Sequence, residues 1–257
     1  MKKLLVLLKK EFQESVKEFK IFWIPLVFIV TAIMQPISMH LLPKLVSKNR
    51  GLILDPKFAS PSGNSVLAGI FNQLNEIGII VIAITLMSSI ISEKNSGVFD
   101  LLFSKPINSL EYLLSKYLFY YVLFVLSAIV GMLAGWYYTN IYYSAVNSSL
   151  FVRATLFYLL WYLFVITIGI TASAIFNSQI VAALITFMIP TILLVLNNLD
   201  WKIIRIINPA VLSSNASSVM NKMNLTADWR LNIIGSIGII ILLIMITLID
   251  FKKIHDV

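Results

Sequence analysis

Residues Ile91–Leu118 read ISEKNSGVFDLLFSKPINSLEYLLSKYL and separate two long apolar runs. The segment carries three acidic and three basic side chains and a short oily run, Val98–Phe103, which Asp100 interrupts. Charged side chains are costly in the hydrocarbon core of a bilayer. The segment is therefore predicted to lie outside the membrane, with membrane-spanning helices before and after it.

The composition indicates a membrane protein with several spans. Of its 257 residues, 59% are hydrophobic and only 12% are charged, and the mean hydropathy is +0.89. A soluble domain usually has about 25% charged residues. The chain has no Cys, which excludes disulfides, thiol catalysis and Cys-based metal sites. We predict an all-α polytopic membrane protein with one domain covering residues 1–257. The Ile, Lys and Asn bias favours a bacterial source.

Six apolar stretches approach the length of about 20 residues that a transmembrane helix needs. They are Ile21–His40, Leu67–Ile91, Leu118–Tyr138, Thr155–Ile175, Ile180–Leu196 and Ile233–Ile249. Only four residues join the fourth stretch to the fifth, so these two helices are predicted to form an antiparallel hairpin.

An amphipathic helix is predicted over residues 1–20, ahead of the first span. Apolar side chains recur there at helical spacing, with Lys and Glu on the other face: Leu4, Leu8, Phe12, Val16 and Phe19. This pattern is typical of a helix that lies in the membrane interface, with membrane lipid as its partner. The alternative is a soluble helix that caps a partner protein. The formal net charge of +8 has its densest cluster here, which favours an anionic membrane surface rather than nucleic acid.

The orientation follows from the excess of positive charge on the cytoplasmic side. Six Lys residues precede the first span, and Lys252 and Lys253 follow the last one. Both termini are therefore predicted to be cytoplasmic in a cell-membrane protein, with residues 92–117 inside and residues 197–232 outside. Within residues 197–232, an Ile-rich helix is predicted to end at Asn208, Pro209 and the Ser/Asn run that follows. This segment either re-enters the membrane or forms an ordinary amphipathic loop.

Common catalytic and nucleotide-binding motifs are absent from the sequence. No Gly precedes a Lys, so there is no P-loop, and neither HExxH nor GxSxG occurs. We expect no catalytic, cofactor-binding or metal site on this chain. A machine driven by ATP would have to take its energy from another subunit.

The loop over residues 92–117 is predicted to form two short helices separated by a break at Pro106. Ser96 is a candidate N-cap, and Val98, Leu101 and Leu102 fall on one face of the first helix. Because an exposed apolar patch usually marks an interaction site, this face is predicted to seat in a groove of a soluble partner.

The order of residues in this loop resembles the cytoplasmic loop of type-2, or export-class, ABC-transporter permeases. The pattern comprises Glu93-Lys94, Ser96-Gly97, Asp100-Leu101-Leu102, Lys105-Pro106-Ile107, Glu111 and Lys116. Ser96-Gly97-Val98 stands where the family commonly has Gly-Thr. The resemblance implies a half-transporter that pairs with a second permease, identical or different, and with two cytoplasmic ATPase subunits that hold the ATP.

The resemblance also implies that the loop couples the spans to the ATPase. The residues to which it assigns this role are Glu93, Gly97, Val98, Leu101, Leu102, Pro106 and Lys116. Taken singly, these residues have simpler interpretations. Glu93 and Lys94 could be an interfacial charge pair, Gly97 a helix breaker and Pro106 an ordinary turn.

Three polar residues, Asn72, Gln73 and Glu76, fall within the second predicted span. An ionisable group at membrane depth is by default a hypothesis about function. We expect these residues to line the substrate path or to contact the second permease. The alternatives are a structural hydrogen-bond cluster or a span that begins only near Glu76.

The sequence thus favours the permease of an ATP-driven exporter for an amphipathic or apolar substrate, such as a peptide, an antibiotic or a lipid. A second possibility is an integral membrane immunity protein that sequesters a toxin without turnover. A third, a membrane-embedded enzyme, would need converging acid, base or nucleophile groups, and only Glu76 stands out.

Overall fold

The computed structural model describes residues 2–48, 61–98, 108–199 and 201–255. These residues form helices and contain no strand, which confirms the predicted all-α fold. The helices are α1 (Lys2–Lys17), α2 (Lys20–Lys48), α3 (Gly63–Leu86), α4 (Ile91–Asn95), α5 (Ser109–Tyr142), α6 (Ser148–Ile175), α7 (Gln179–Leu196), α8 (Lys202–Ile207), α9 (Ala210–Met220) and α10 (Trp229–His255).

All six predicted spans are confirmed by helices that are long and apolar enough to cross a membrane. Within the described residues these are Lys20–Pro43, Gly63–Asn95, Ser109–Tyr142, Ser148–Ile175, Gln179–Leu196 and Trp229–Phe251. The third begins nine residues earlier than the predicted start at Leu118. The reason is the Asn108 side chain, which accepts a hydrogen bond from the backbone N–H of Leu110 and so caps the helix there.

Helices α3 and α6 form the centre of the bundle, whereas α7 and α10 lie at its periphery. Gly78 of α3 sits directly against Tyr162 of α6, where a Cβ atom would lie only 1.8 Å from the Tyr162 hydroxyl. That hydroxyl donates to the backbone carbonyl of Leu74 at 2.7 Å. On the other side, Gly131 of α5 packs against the backbone of Phe28 in α2. The small residues therefore pack the helices of this chain closely together.

Helix α1 confirms the predicted N-terminal helix but packs on the bundle through an unpredicted stripe. Leu7, Glu11 and Ser15 are buried, whereas Phe12 and Val16 of the predicted apolar stripe are exposed. The expectation that every Glu of this helix lies on a solvated face is wrong for Glu11. The exposed apolar stripe is available for the membrane interface, and that location stays a prediction.

The segment between the fifth and sixth spans forms two helices, α8 and α9. The predicted break at Asn208 and Pro209 is present, but the Ser/Asn run after it is helical rather than irregular. Pro suits the start of a helix because its fixed φ and missing N–H cost nothing there. The polar side chains of α9 also find tertiary partners: Ser213 contacts Asn75 of α3 at 2.5 Å.

Helix α9 runs antiparallel to α3. Ser213 pairs with Asn75, and Ser217 donates to Asn72, which is nearer the start of α3, at 3.1 Å. Asn75 lies about 18 Å along α3 from Gly63, at about 1.5 Å per residue. This arrangement favours a hairpin that enters and returns on one side of the bundle, and its depth in a bilayer stays a prediction.

Candidate functional site

Glu93 and Lys116, two of the predicted coupling residues, meet in a buried ion cluster. The Lys116 ammonium lies 2.5 Å from a Glu93 carboxylate oxygen and 2.8 Å from a carboxylate oxygen of Glu11. It also donates to the backbone carbonyl of Ser89 at 2.7 Å. The side chains of Lys116, Glu93 and Glu11 are 1%, 3% and 4% exposed. Such burial is tolerated only because each charge has a partner.

Three helices bring these charges together. Glu93 comes from α4, Lys116 from the third turn of α5, and Glu11 from the buried stripe of α1. Lys10 of α1 forms a second ion pair with Glu93, and the Tyr112 hydroxyl donates to the other Glu93 oxygen at 2.6 Å. Two ammonium groups thus face the two buried carboxylates, and Lys10 also pairs with the less buried Glu14 at 3.3 Å. The cluster fixes α4 to both α1 and α5.

Lys94, the next residue of α4, contacts α6 and α10 instead of the carboxylates of this ion cluster. Its ammonium donates to the backbone carbonyl of Ala174 in the last turn of α6, where cations are favoured by the helix dipole. The same ammonium lies 5.7 Å from the centre of the Phe251 ring and interacts electrostatically with Asp250 of α10. The short helix α4 therefore contacts four other helices through two adjacent charged side chains. The interpretation of Glu93 and Lys94 as a pair with each other does not fit this geometry.

The remaining predicted coupling residues follow α4. Gly97 adopts a φ of +71°, a left-handed conformation that disfavours residues with a Cβ atom. Val98 lines a cleft of about 410 Å³ between α1 and α4, together with Lys10, Glu14 and Lys17. Leu101, Leu102 and Pro106 lie outside the described residues. The ATPase-coupling role of the whole set stays a prediction.

The carboxylates of Glu11, Glu14 and Glu93 come within 4.8 Å of one another, close enough to share a cation. The ammonium groups of Lys10 and Lys116 already contact these carboxylates. A metal ion here would have to displace these two ammonium groups or bind against the repulsion of their positive charges. The geometry therefore supports an ion-pair cluster rather than a metal site.

Glu11 is the member of the cluster that sequence reasoning missed. The spacing of Leu7, Glu11 and Ser15 at four-residue intervals is a helical stripe, but it is less apolar than the neighbouring stripe through Phe12 and Val16. The spacing of Glu11 from Leu7 carries little information, because a carboxylate four residues from an apolar side chain is also common on solvent-exposed helices. No local signal in the sequence distinguishes Glu11 from Glu14 or Glu18.

Asn72 and Glu76 share the exposed face of α3, while the neighbouring Gln73 is half-buried. Asn72 also lines a cavity of about 260 Å³ between α2 and α3, whose wall includes Gln35 and Asn221. The neighbouring Asn75 is buried and accepts a hydrogen bond from the Trp161 indole at 3.0 Å. Asn75 thus forms buried structural hydrogen bonds, Asn72 is exposed but accepts a hydrogen bond from Ser217 of α9, and Glu76 lies exposed on the surface of the bundle.

Comparison with known proteins identifies the family. Residues 30–249 match the sequence model of the ABC-2 family transporter proteins. The chain is also 30% identical over 185 residues to an uncharacterized transmembrane protein, YxlG, of Bacillus subtilis (strain 168). That alignment covers 71% of this chain and 72% of YxlG. The chain therefore belongs to the ABC-2 transporter family and is a multi-pass membrane permease subunit of an ABC system.

Proposed function

We propose that this permease is the membrane-spanning part of an ATP-driven exporter for an amphipathic or apolar substrate, such as a peptide, an antibiotic or a lipid. The chain would pair with a second permease, identical or different. Separate cytoplasmic ATPase subunits would bind and hydrolyse the ATP. Both termini would lie in the cytoplasm, so that residues 92–117 face the ATPases.

The observation that carries this proposal is the position of α4 among its neighbours. Through Glu93, α4 is tied to α1 and α5, and through Lys94 it is tied to α6 and α10. A displacement of the loop that follows α4 would therefore move several helices as packed bodies. A permease that takes its energy from a separate ATPase needs such a connection, because a force applied to the loop must reach the spans.

The exposed polar face of α3 supports the second part of the proposal, the pairing with another permease. Glu76 and Asn72 sit on the surface of a helix whose composition is that of a membrane span. A carboxylate facing lipid is unfavourable, so this face requires cover from protein or water. A second permease, with a substrate path between the two chains, provides both.

The partner ATPase is tested by capture of the tagged permease from its native membrane. We expect ATPase subunits to copurify and the captured complex to hydrolyse ATP. The variant L101D/L102D should lose most of the bound ATPase and of the hydrolysis, because it places two charges on the apolar face predicted to seat in the ATPase groove. L199D/M223D is the control, since it also places two charges on exposed apolar residues that lie outside the six spans, between the fifth and the sixth.

Capture without any ATPase would contradict the exporter. If such a lone chain still protected cells from a toxin, sequestration without turnover would be the better interpretation. Equal loss of ATPase in the control variant would mean that Leu101 and Leu102 have no special role in the contact.

The orientation is tested by single-cysteine labelling, for which the absence of Cys makes the protein a ready background. With K105C, we expect an impermeant maleimide to label inside-out vesicles and not intact cells. With N224C, in the predicted outer segment, we expect the opposite. Labelling of K105C in intact cells would place the loop outside and rule out contact with a cytoplasmic ATPase.

A further inference from the structure

An apolar groove opens on the bundle surface between α6 and α10. It has a volume of about 270 Å³ and lies near the residues at which these two helices begin. Its apolar wall consists of Leu156, Phe157, Leu160, Leu225, Trp229 and Ile233. Because α10 lies at the periphery of the bundle, the groove faces the surroundings of the protein rather than its core.

One guanidinium group lines this groove, and a second lies against one of its wall residues. Arg153 is part of its lining, and the Arg230 guanidinium lies 5.2 Å from the centre of the Trp229 ring. Trp229 also packs edge-to-face on Phe157, with 6.0 Å between ring centres. Within the described residues, neither Arg153 nor Arg230 forms an ion pair with a carboxylate. Asp228 precedes Trp229 but does not line the groove.

Along the helix axes, the charged part of the groove lies near the helix starts and the apolar part extends further into the spans. Arg153 lies about 7.5 Å from the start of α6, and Trp229 is the first residue of α10. Span ends, and Trp and Arg near them, belong at the level of the lipid headgroups. Leu160 and Ile233 lie about one turn or more deeper along their helices. The groove thus fits a molecule with an anionic head and an apolar tail.

We propose that this groove binds an anionic phospholipid of the surrounding bilayer. Arg153 and Arg230 contact its phosphate, for which the planar guanidinium offers two parallel N–H donors. One acyl chain lies along Leu156, Leu160 and Ile233. A lipid with net negative charge gains from both cations, whereas a zwitterionic lipid brings a cation of its own to the same rim. The site is separate from α4 and does not depend on the proposed direction of transport.

Native mass spectrometry of the purified protein tests this site, with phosphatidylglycerol and phosphatidylcholine offered at equal concentration. We expect one phosphatidylglycerol per chain to survive delipidation in preference to phosphatidylcholine. R153Q/R230Q should weaken retention by about tenfold or more, since each surface cation contributes measurably to binding anionic lipid. L156W should weaken it as well, because Leu156 is exposed in the groove and a larger ring fills the space of the acyl chain.

The control K202Q/K222Q removes the same amount of charge from residues that do not line the groove and should retain phosphatidylglycerol like the unmodified protein. The melting temperature of each variant checks that it is folded. Equal retention of the two lipids overturns the proposal, as does wild-type retention by R153Q/R230Q. If K202Q/K222Q loses as much phosphatidylglycerol as R153Q/R230Q, the lipid responds to general surface charge and the groove is not its site. Full retention of phosphatidylglycerol by L156W would overturn the groove as the site as well.

Discussion

Replacing Lys116 with Met is expected to destabilise the protein by about 3–5 kcal/mol, the cost of removing one partner from a buried ion pair. Met nearly matches the length of the Lys side chain but carries no charge. The variant leaves Glu93 and Glu11 facing each other in a buried site, with the carbonyl of Ser89 also deprived of its donor. Lys10 still contacts Glu93, but it is part-exposed and lies outside the cluster core. Thermal unfolding in detergent measures the loss.

Lys202→Met is the matched control, because Lys202 is exposed at the start of α8 and should tolerate the same substitution. A melting temperature for K116M close to that of K202M would mean that the cluster contributes nothing to stability. Such a result would also remove the reason for calling α4 firmly attached to α1 and α5.

The triple variant E11L/E93M/K116M separates stability from coupling. Replacing a buried ion cluster as a unit by apolar side chains is often neutral or stabilising. We therefore expect it to regain most of the stability lost in K116M. If the cluster transmits force from the loop, the same variant should remain folded but lose ATP hydrolysis linked to the spans. Full activity in a folded triple variant would assign the cluster a structural role only.

The fold could be predicted from sequence because the bilayer imposes a simple rule. Each span needs a continuous apolar stretch, and the charged segment Ile91–Leu118 interrupts that pattern once, between the second and third spans. The residues at which the spans begin and end were less predictable from the sequence. α5 continues to Ser109 because Asn108 caps it, and that capping bond depends on a single side chain rather than on hydropathy.

The ion cluster could be predicted only in part. Glu93 and Lys116 are 23 residues apart and belong to the resemblance, but nothing in their spacing predicts a direct contact. Glu11 comes from a third helix whose strongest apolar stripe does not contain it. The bundle buries the less apolar stripe of α1 because Lys116 offers a partner for that carboxylate. Contacts between distant helices of this kind are tertiary choices that helical periodicity does not encode.

Helices α8 and α9, between the fifth and sixth spans, give a second example. The sequence marks the break at Asn208 and Pro209, yet a run rich in Ser and Asn has weak helix propensity and gives no reason to expect α9. The structure compensates for this weakness with tertiary hydrogen bonds to α3, where Asn75 donates to Ser213 and Asn72 accepts from Ser217. The most consequential of these compensating contacts comes from α10.

Replacing Asn232 with Leu is expected to cost about 2–4 kcal/mol, because it removes the side-chain donor of three backbone carbonyls, of which that of Asn208 keeps the Val211 N–H as a second donor. The Asn232 amide lies 3.0 Å from the Arg205 carbonyl, 3.3 Å from that of Ile206 and 2.8 Å from that of Asn208. The first two carbonyls belong to the last turn of α8, where a helix has no N–H donors of its own for its carbonyls. Asn232 is fully buried, so water cannot replace its amide without opening the packing.

Asn198→Leu is the control, since Asn198 is exposed and the substitution is the same. Two measurements distinguish loss of this contact from a general defect. The melting temperature should fall in N232L and not in N198L. In addition, a cysteine introduced as S218C on α9 should react faster with maleimide in N232L, because α8 no longer holds the turn that positions α9. N232D should behave like N232L, since a carboxylate of the same shape cannot donate to three carbonyls. If N232L melts and labels like N198L, the hairpin is held by the contacts of α9 with α3 and α6, and α10 is free to move relative to it during transport.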